Sequence, residues 1–152
     1  MEHEEYMRQA LELARLAMAE GEVPVGCVIV RDGAVVGRGR NRRETAQTAL
    51  GHAELEAIAQ ACRTLGGWRL AGCALYVTLE PCPMCAGAIV NARIPAVYYG
   101  AKDDKAGCCG SVLNLFEERF NHHPRIYGRA QTYCIAPRTT CFAHSRNRGM
   151  AS

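Results

Sequence analysis

Four side chains stand in a pattern that could do chemistry: His52 and Glu54 in His52-Ala53-Glu54, and Cys82 and Cys85 in Pro81-Cys82-Pro83-Met84-Cys85. One imidazole and two thiolates are three ligands of types that zinc accepts, which leaves the fourth tetrahedral position for water, the arrangement of a catalytic zinc. Cys82 and Cys85 are three residues apart, so on the first turn of a helix they share a face and can grip one ion. Pro83 suits that turn, where its missing N–H costs nothing. A helix N-terminus favours negative charge and so lowers thiol pKa values toward the metal-binding thiolate. Two thiolates and a neutral imidazole leave zinc with no net formal charge, and such an ion makes hydroxide available near neutral pH. Glu54 is then placed to move protons as general acid and base. Removing ammonia from an amidine-like ring carbon needs that hydroxide, and a group that protonates a ring nitrogen and then the leaving amine.

Each half of the pattern is ambiguous alone. A C-x-x-C pair also serves as half of a structural zinc site or as a redox pair, and His-x-Glu recurs by chance. Here the halves stand in order, each opening a predicted helix, with a strand-like run before the second, the context a motif needs.

The elements that must position these residues alternate along the chain. Met7, Ala10, Leu11, Ala14, Ala17 and Met18 fall at helical spacing, with Gly21 as a stop. Val25 to Val30 reads as a strand, Arg31-Asp32-Gly33 as a turn, and Ala34 to Gly39 as the partner strand. Asn41 to Gly51 is a polar loop. His52 to about Leu65 reads as a helix ended by Gly66-Gly67, with Leu55, Ile58, Ala59 and Cys62 on one face. Ala74 to Thr78 reads as a strand, Met84 to Ala92 as a helix, and Ala96 to Tyr99 as another strand. This order predicts a layered α/β arrangement, with the metal ligands at the starts of two helices packed side by side on one sheet face.

Length and composition set the frame. At 152 residues the chain is one domain able to bury a real core, and 49% hydrophobic with 22% charged residues is ordinary for a soluble globular protein. No run approaches the roughly 18 apolar residues of a membrane span, and the acidic start Met1-Glu2-His3-Glu4-Glu5 is unlike a signal peptide, so a cytoplasmic protein away from the membrane is expected. The nine cysteines are odd in number, which argues for reduced thiols. Cys27, Cys62 and Cys73 read as core filler, and Cys108-Cys109 as a pair of free loop thiols.

The paired motif, H-x-E followed by P-C-x-x-C, resembles the signature of the zinc-dependent base deaminases. From about Glu4 to His122 the chain resembles, more narrowly, the bacterial tRNA-specific adenosine deaminases. The resemblance is carried by Glu22-Val23-Pro24-Val25-Gly26, Asn41-Arg42-Arg43-Glu44, His52-Ala53-Glu54 and Leu79-Glu80-Pro81-Cys82-Pro83-Met84-Cys85. Lys105-Ala106-Gly107 with Gly110-Ser111, and Phe120-Asn121-His122, extend it. The Asn-Arg-Arg-Glu and Phe-Asn-His pieces favour the tRNA enzymes over cytidine, deoxycytidylate or free-guanine deaminases. The resemblance implies a three-layer cytidine-deaminase-like α/β fold, with a central mixed sheet and helices on both faces. It also implies a homodimer and a tRNA anticodon loop whose wobble adenosine turns into a zinc pocket to become inosine. Carried over, His52, Cys82 and Cys85 hold one Zn2+ per chain and Glu54 shuttles protons. Asn41 hydrogen-bonds the base, because an amide both donates and accepts, while the Ala53 backbone and Val25 line the pocket.

The resemblance divides the chain into a deaminase domain, 1–127, and an atypical basic C-terminal tail, 128–152. Where the family has an amphipathic helix rich in Leu and Glu, this chain has Gly128-Arg129-Ala130-Gln131-Thr132-Tyr133-Cys134-Ile135-Ala136-Pro137. Pro137 interrupts any helix there. From Arg119 onward the segment carries +6 and the rest −3, which together make the net +3. The tail reads as a disordered arm touching phosphates or as an accidental peptide, the favoured reading. His122 and His123 read as loop or RNA-contacting residues, with metal binding the alternative. Two other functions remain open: a deaminase of a free base such as guanine or of a nucleoside, and a folded but inactive zinc domain disabled by the altered end.

Overall fold

The helical spacing near the N-terminus becomes α1 (Glu2–Ala19), which buries Met7, Ala10, Leu11, Ala14 and Ala17 along one stripe, while Met18, expected with them, is exposed at the end of the helix. The computed structural model describes residues 2–128. After α1 come β1 (Gly26–Arg31) and β2 (Ala34–Arg40), joined through Asp32 at φ 52 and Gly33 at φ 78. Positive φ at both central residues is what a type I′ hairpin turn demands, and Asp-Gly meets it. The chain continues through α2 (Ala53–Leu65), β3 (Cys73–Leu79), α3 (Pro83–Ala92) and β4 (Ala96–Ala101). A 3₁₀ turn (Leu115–Glu117) and β5 (Arg125–Gly128) complete the described residues.

The sheet order is β2-β1-β3-β4-β5. β1 pairs antiparallel with β2 and β3, whereas β3, β4 and β5 run parallel, so the sheet is mixed as expected. Alternation along β1 sends successive side chains to opposite faces. Cys27 and Ile29 pack with Leu75, Val77 and Val97 against Ala57 and Ala61 of α2 and Ala86 and Ile89 of α3. Val28, Val30 and Tyr76 pack against Met7, Ala10 and Leu11 of α1. These clusters make three layers, with helices on both faces of the sheet. Full burial of each large aliphatic side chain there contributes about 1.5–3 kcal/mol before ordering costs.

Two glycines seat the helix that carries the site. A Cβ on Gly39 would stand 2.1 Å from the Ala53 carbonyl oxygen, and one on Gly37 2.3 Å from that of Ala57. Their absence lets α2 lie directly on β2 and brings its first residues down onto the sheet. Gly66, at φ 74, ends α2 as expected by donating its N–H to the Cys62 carbonyl at 2.9 Å.

The element bounds agree with the sequence reading to within a residue or two, except at the 3₁₀ turn and β5, which it lacked. The packed face of α2 also differs from the expected one: the small Ala53, Ala57 and Ala61 are buried with Glu54 where Gly37 and Gly39 let the helix lie on β2, whereas Leu55, Ile58 and Cys62 are half-buried and Ala59 is exposed. The four residues Arg125-Ile126-Tyr127-Gly128 show no alternation, and they form a strand because β4 offers a parallel partner, Ala96 opposite Arg125 through Tyr99 opposite Gly128. Of the expected basic tail, 128–152, Gly128 is the last residue of β5, and the rest lies outside the described residues. Among the described residues no helix is long and apolar enough to cross a membrane.

Candidate active site

The two halves of the motif meet at the N-termini of α2 and α3. His52 is the N-cap of α2, in extended conformation, and Cys82 holds the same position on α3 with Pro83 at the first helical turn. His52 makes no cap bond back to α2, and its ring is turned instead to the two cysteines, while Cys82 interacts with Cys85 of the first turn of α3. His52 Nδ1 lies 3.6 Å from Cys82 Sγ and 3.5 Å from the fully buried Cys85 Sγ. A tetrahedral zinc bound by nitrogen at about 2.0–2.1 Å and by sulfur at about 2.3 Å sets those atoms roughly 3.6 Å apart. The donor set therefore fits zinc in atom type and in spacing. Among the described residues no other group of three His, Cys, Asp or Glu side chains converges in this way.

The electrostatics of the cluster favour a cation. Hydrogen bonding from the Cys85 thiol, together with that from His52, drops the Cys82 thiol to about 4 despite its partial burial. The same contact with Cys82, with burial added, pushes the Cys85 thiol up. The bond to Cys82 raises His52 as well. Three groups that share protons around one point are the groups a metal ion would bridge.

Every remaining residue expected at the site is here. Glu54, the second residue of α2, is 4% exposed, and burial lifts its carboxyl to about 7. Val25, Asn41, His52, Ala53, Glu54 and Cys82 all line one cavity of about 270 Å³, whereas the fully buried Cys85 is not among its lining residues. That volume is at the small end of ligand pockets, matched to one ring system. Val25 belongs to the core cluster and to the cavity wall alike. Asn41 is buried, and its Oδ1 accepts the Arg43 N–H at 3.1 Å, a local Asx turn. That bond takes one of the two lone pairs of Oδ1, so Asn41 can offer a ligand its amide NH2 and one further acceptor site.

The structure adds residues that the sequence reading did not single out. Arg43 lines the cavity from the loop after β2, and Asp103, Lys105 and Ala106 line it from the loop after β4. The loop after β2 is tied down by Glu22, 1% exposed, whose carboxylate accepts the Glu44 and Thr45 N–H groups at 3.1 and 2.7 Å and the Thr45 hydroxyl. The segments were visible in the sequence, but the bonds that close them span more than twenty residues. His122 and His123 lie apart from the metal-type cluster, their Nε2 atoms bonding the Ile94 and Glu118 carbonyls at 2.7 and 2.8 Å. Cys108 and Cys109 are free thiols, as expected.

A mixed sheet that holds an imidazole and two thiols on the first turns of two packed helices, beside a buried glutamate, defines the deaminase class of α/β enzymes. Residues 1–135 match the MafB19-like deaminase family. Over 122 residues, 80% of this chain and 76% of its relative, the sequence is 52% identical to the tRNA-specific adenosine deaminase of Bacillus subtilis (strain 168). The chain belongs to the tRNA-specific adenosine deaminase family. Two solved structures are similar to it. One, from work on A-to-I editing by tRNA:A34 deaminases at the wobble position of transfer RNA, has a TM-score of 0.80 and 46% identity, covering 84% of this chain and 99% of its own. The other, the guanine deaminase of Bacillus subtilis, has a TM-score of 0.66 and 34% identity, covering 97% and 95%.

Proposed function

We propose that this chain is a zinc-dependent hydrolase that deaminates adenosine to inosine at the wobble position of tRNA. The observation that carries the reading is the cluster of His52, Cys82 and Cys85 beside buried Glu54, in a chain that belongs to the tRNA-specific adenosine deaminase family. The higher TM-score and identity of the tRNA:A34 deaminase structure favour this reading over guanine deamination.

His52, Cys82 and Cys85 hold the metal. Zinc bound there supplies Lewis acidity and lowers the pKa of water toward neutrality. The chain's own groups do the rest. Glu54, with its carboxyl near neutrality, takes a proton from the attacking water and gives it to the ring nitrogen. It then takes the second proton of that water, now on the hydroxyl added to the ring carbon, and delivers it to the amine as the carbon–nitrogen bond breaks, so that adenosine and water become inosine and ammonia. Asn41 donates its amide NH2 to the base, while the Ala53 backbone and the Val25 side chain bound the ring. Apolar burial around Glu54 excludes bulk water and keeps its carboxyl basic enough to accept the proton. The enzyme acts in the cytoplasm as a homodimer on the anticodon loop.

The test is to incubate the purified protein with an anticodon stem-loop carrying A at the wobble position and, separately, with guanine and with adenosine. Inosine and ammonia from the stem-loop are expected. Xanthine from guanine with no inosine in the RNA would transfer the site to free-base deamination, and no product from any arm would mean an inactive zinc domain.

A further inference from the structure

A second glutamate, Glu80, lines the same cavity as Glu54, but its partners give it a different task. Glu80 follows β3, directly before Pro81-Cys82, and is 2% exposed. Its carboxylate accepts four hydrogen bonds from the loop between β4 and the 3₁₀ turn. Oε1 takes the Asp103 N–H at 3.2 Å and the Ser111 hydroxyl, while Oε2 takes the Cys109 and Ser111 N–H groups at 2.8 and 3.2 Å. The loop wraps so closely that a Cβ on Gly107 would stand 2.3 Å from the Glu80 carboxyl carbon. The Cys108 N–H adds a bond to the Pro81 carbonyl at 2.9 Å, tying the loop to the segment that leads into Cys82.

A carboxylate offers about four lone-pair sites, and the loop occupies them all. Glu80 therefore has no acceptor left for a substrate proton, in contrast to Glu54. What it controls is the shape of the loop, whose residues Asp103, Lys105 and Ala106 form a wall of the cavity. We propose that Glu80 is a positioning residue for RNA: it fixes the loop from Asp103 to Ser111 against the active site and so sets substrate affinity, taking no part in proton transfer. This rests on the tRNA deaminase reading above.

Glu80→Gln tests the proposal. The amide keeps one acceptor oxygen but turns an NH2 group toward N–H donors, which loosens the loop. With the wobble stem-loop as substrate, KM should rise by about tenfold, kcat should stay within about threefold, and zinc should remain at one per chain. Ser111→Ala, a milder change that removes one hydroxyl donor, should raise KM by about threefold, again with kcat held. The double variant should be no worse than Glu80→Gln alone, because both changes break one unit. If Glu80→Gln does not fold, the KM and kcat of Ser111→Ala decide alone. A fall in kcat with KM unchanged, loss of zinc, or unaltered kinetics in variants of an active wild type would overturn the proposal. A wild type that makes no inosine from the stem-loop would overturn the functional reading, and this inference with it.

Discussion

Glu54 and Asn41 show how surroundings assign a role that residue type leaves open. Burial lifts the Glu54 carboxyl to about 7, where it can both take and return a proton near neutral pH. Glu54→Gln, nearly isosteric but unable to accept the proton, should retain zinc and fold while losing about 10²–10⁴-fold in turnover. Metal analysis beside single-turnover rates checks this, and near wild-type turnover with zinc in place would contradict it. Cys82→Ala should lose tightly held zinc and some stability, because the site ties the N-termini of α2 and α3 together. Asn41 accepts the Arg43 N–H on Oδ1 and lines the cavity, which suits the base contact proposed for it. Asn41→Ala should therefore lower turnover more than RNA affinity, since base contacts specify whereas phosphate contacts supply most binding. Equal losses of both would reduce Asn41 to a shaper of its loop.

At the scale of elements, how much could be read from the sequence depended on the range of the interaction. Helix α2 was legible in its extent because the Gly66-Gly67 stop is a local signal, but its buried face was not, since the larger Leu55, Ile58 and Cys62 stay half-buried while the alanines Ala53, Ala57 and Ala61 meet the sheet. The metal-type ligands were legible, because each half of the set lies within a few residues of a helix start. β5 was not legible, because its pairing with β4 is all that makes those four residues a strand. The loop anchors were hidden for the same reason: Glu22 meets Thr45, and Glu80 meets Ser111, only in the fold. Burial alone would raise the Glu22 carboxyl, but bonds from the Thr45 hydroxyl and from the Thr45 and Glu44 N–H groups hold it below the ordinary value. A depressed pKa in the folded state contributes stability above the unfolded value, and that stability is lost as pH falls through the folded one. Glu22→Gln should accordingly destabilise the protein at pH 7 by about 1–3 kcal/mol, with the gap to wild type closing in acid. Melting curves across pH check the sign, and a gap that widened in acid would refute it. Gly39→Ala forces its methyl onto the Ala53 carbonyl, so it should displace the start of α2 and weaken metal binding as well as stability.

For the whole molecule, Leu50, Val112 and Leu113 are 62%, 55% and 46% exposed in the single chain, while the exposed Trp68 ring is faced by Arg69 and Arg93. The tail beyond Gly128 carries only positive formal charge. If it is an accidental peptide, truncation after Gly128 leaves RNA affinity and its salt dependence unchanged; a phosphate-binding arm would lose both. Titrating stem-loop RNA into both forms at two salt concentrations separates these outcomes.

The central claim is that the His52, Cys82, Cys85 and Glu54 cluster performs hydrolytic deamination on one adenosine of tRNA. Its most direct test is to expose unmodified tRNA bearing a wobble adenosine to the wild type and to Glu54→Gln, and to read each position by reverse transcription, where inosine is copied as guanosine. The account predicts conversion at the wobble position alone with the wild type, and almost none with Glu54→Gln at equal zinc content. Conversion by both proteins, or no conversion by a zinc-loaded wild type that binds the RNA, would contradict it.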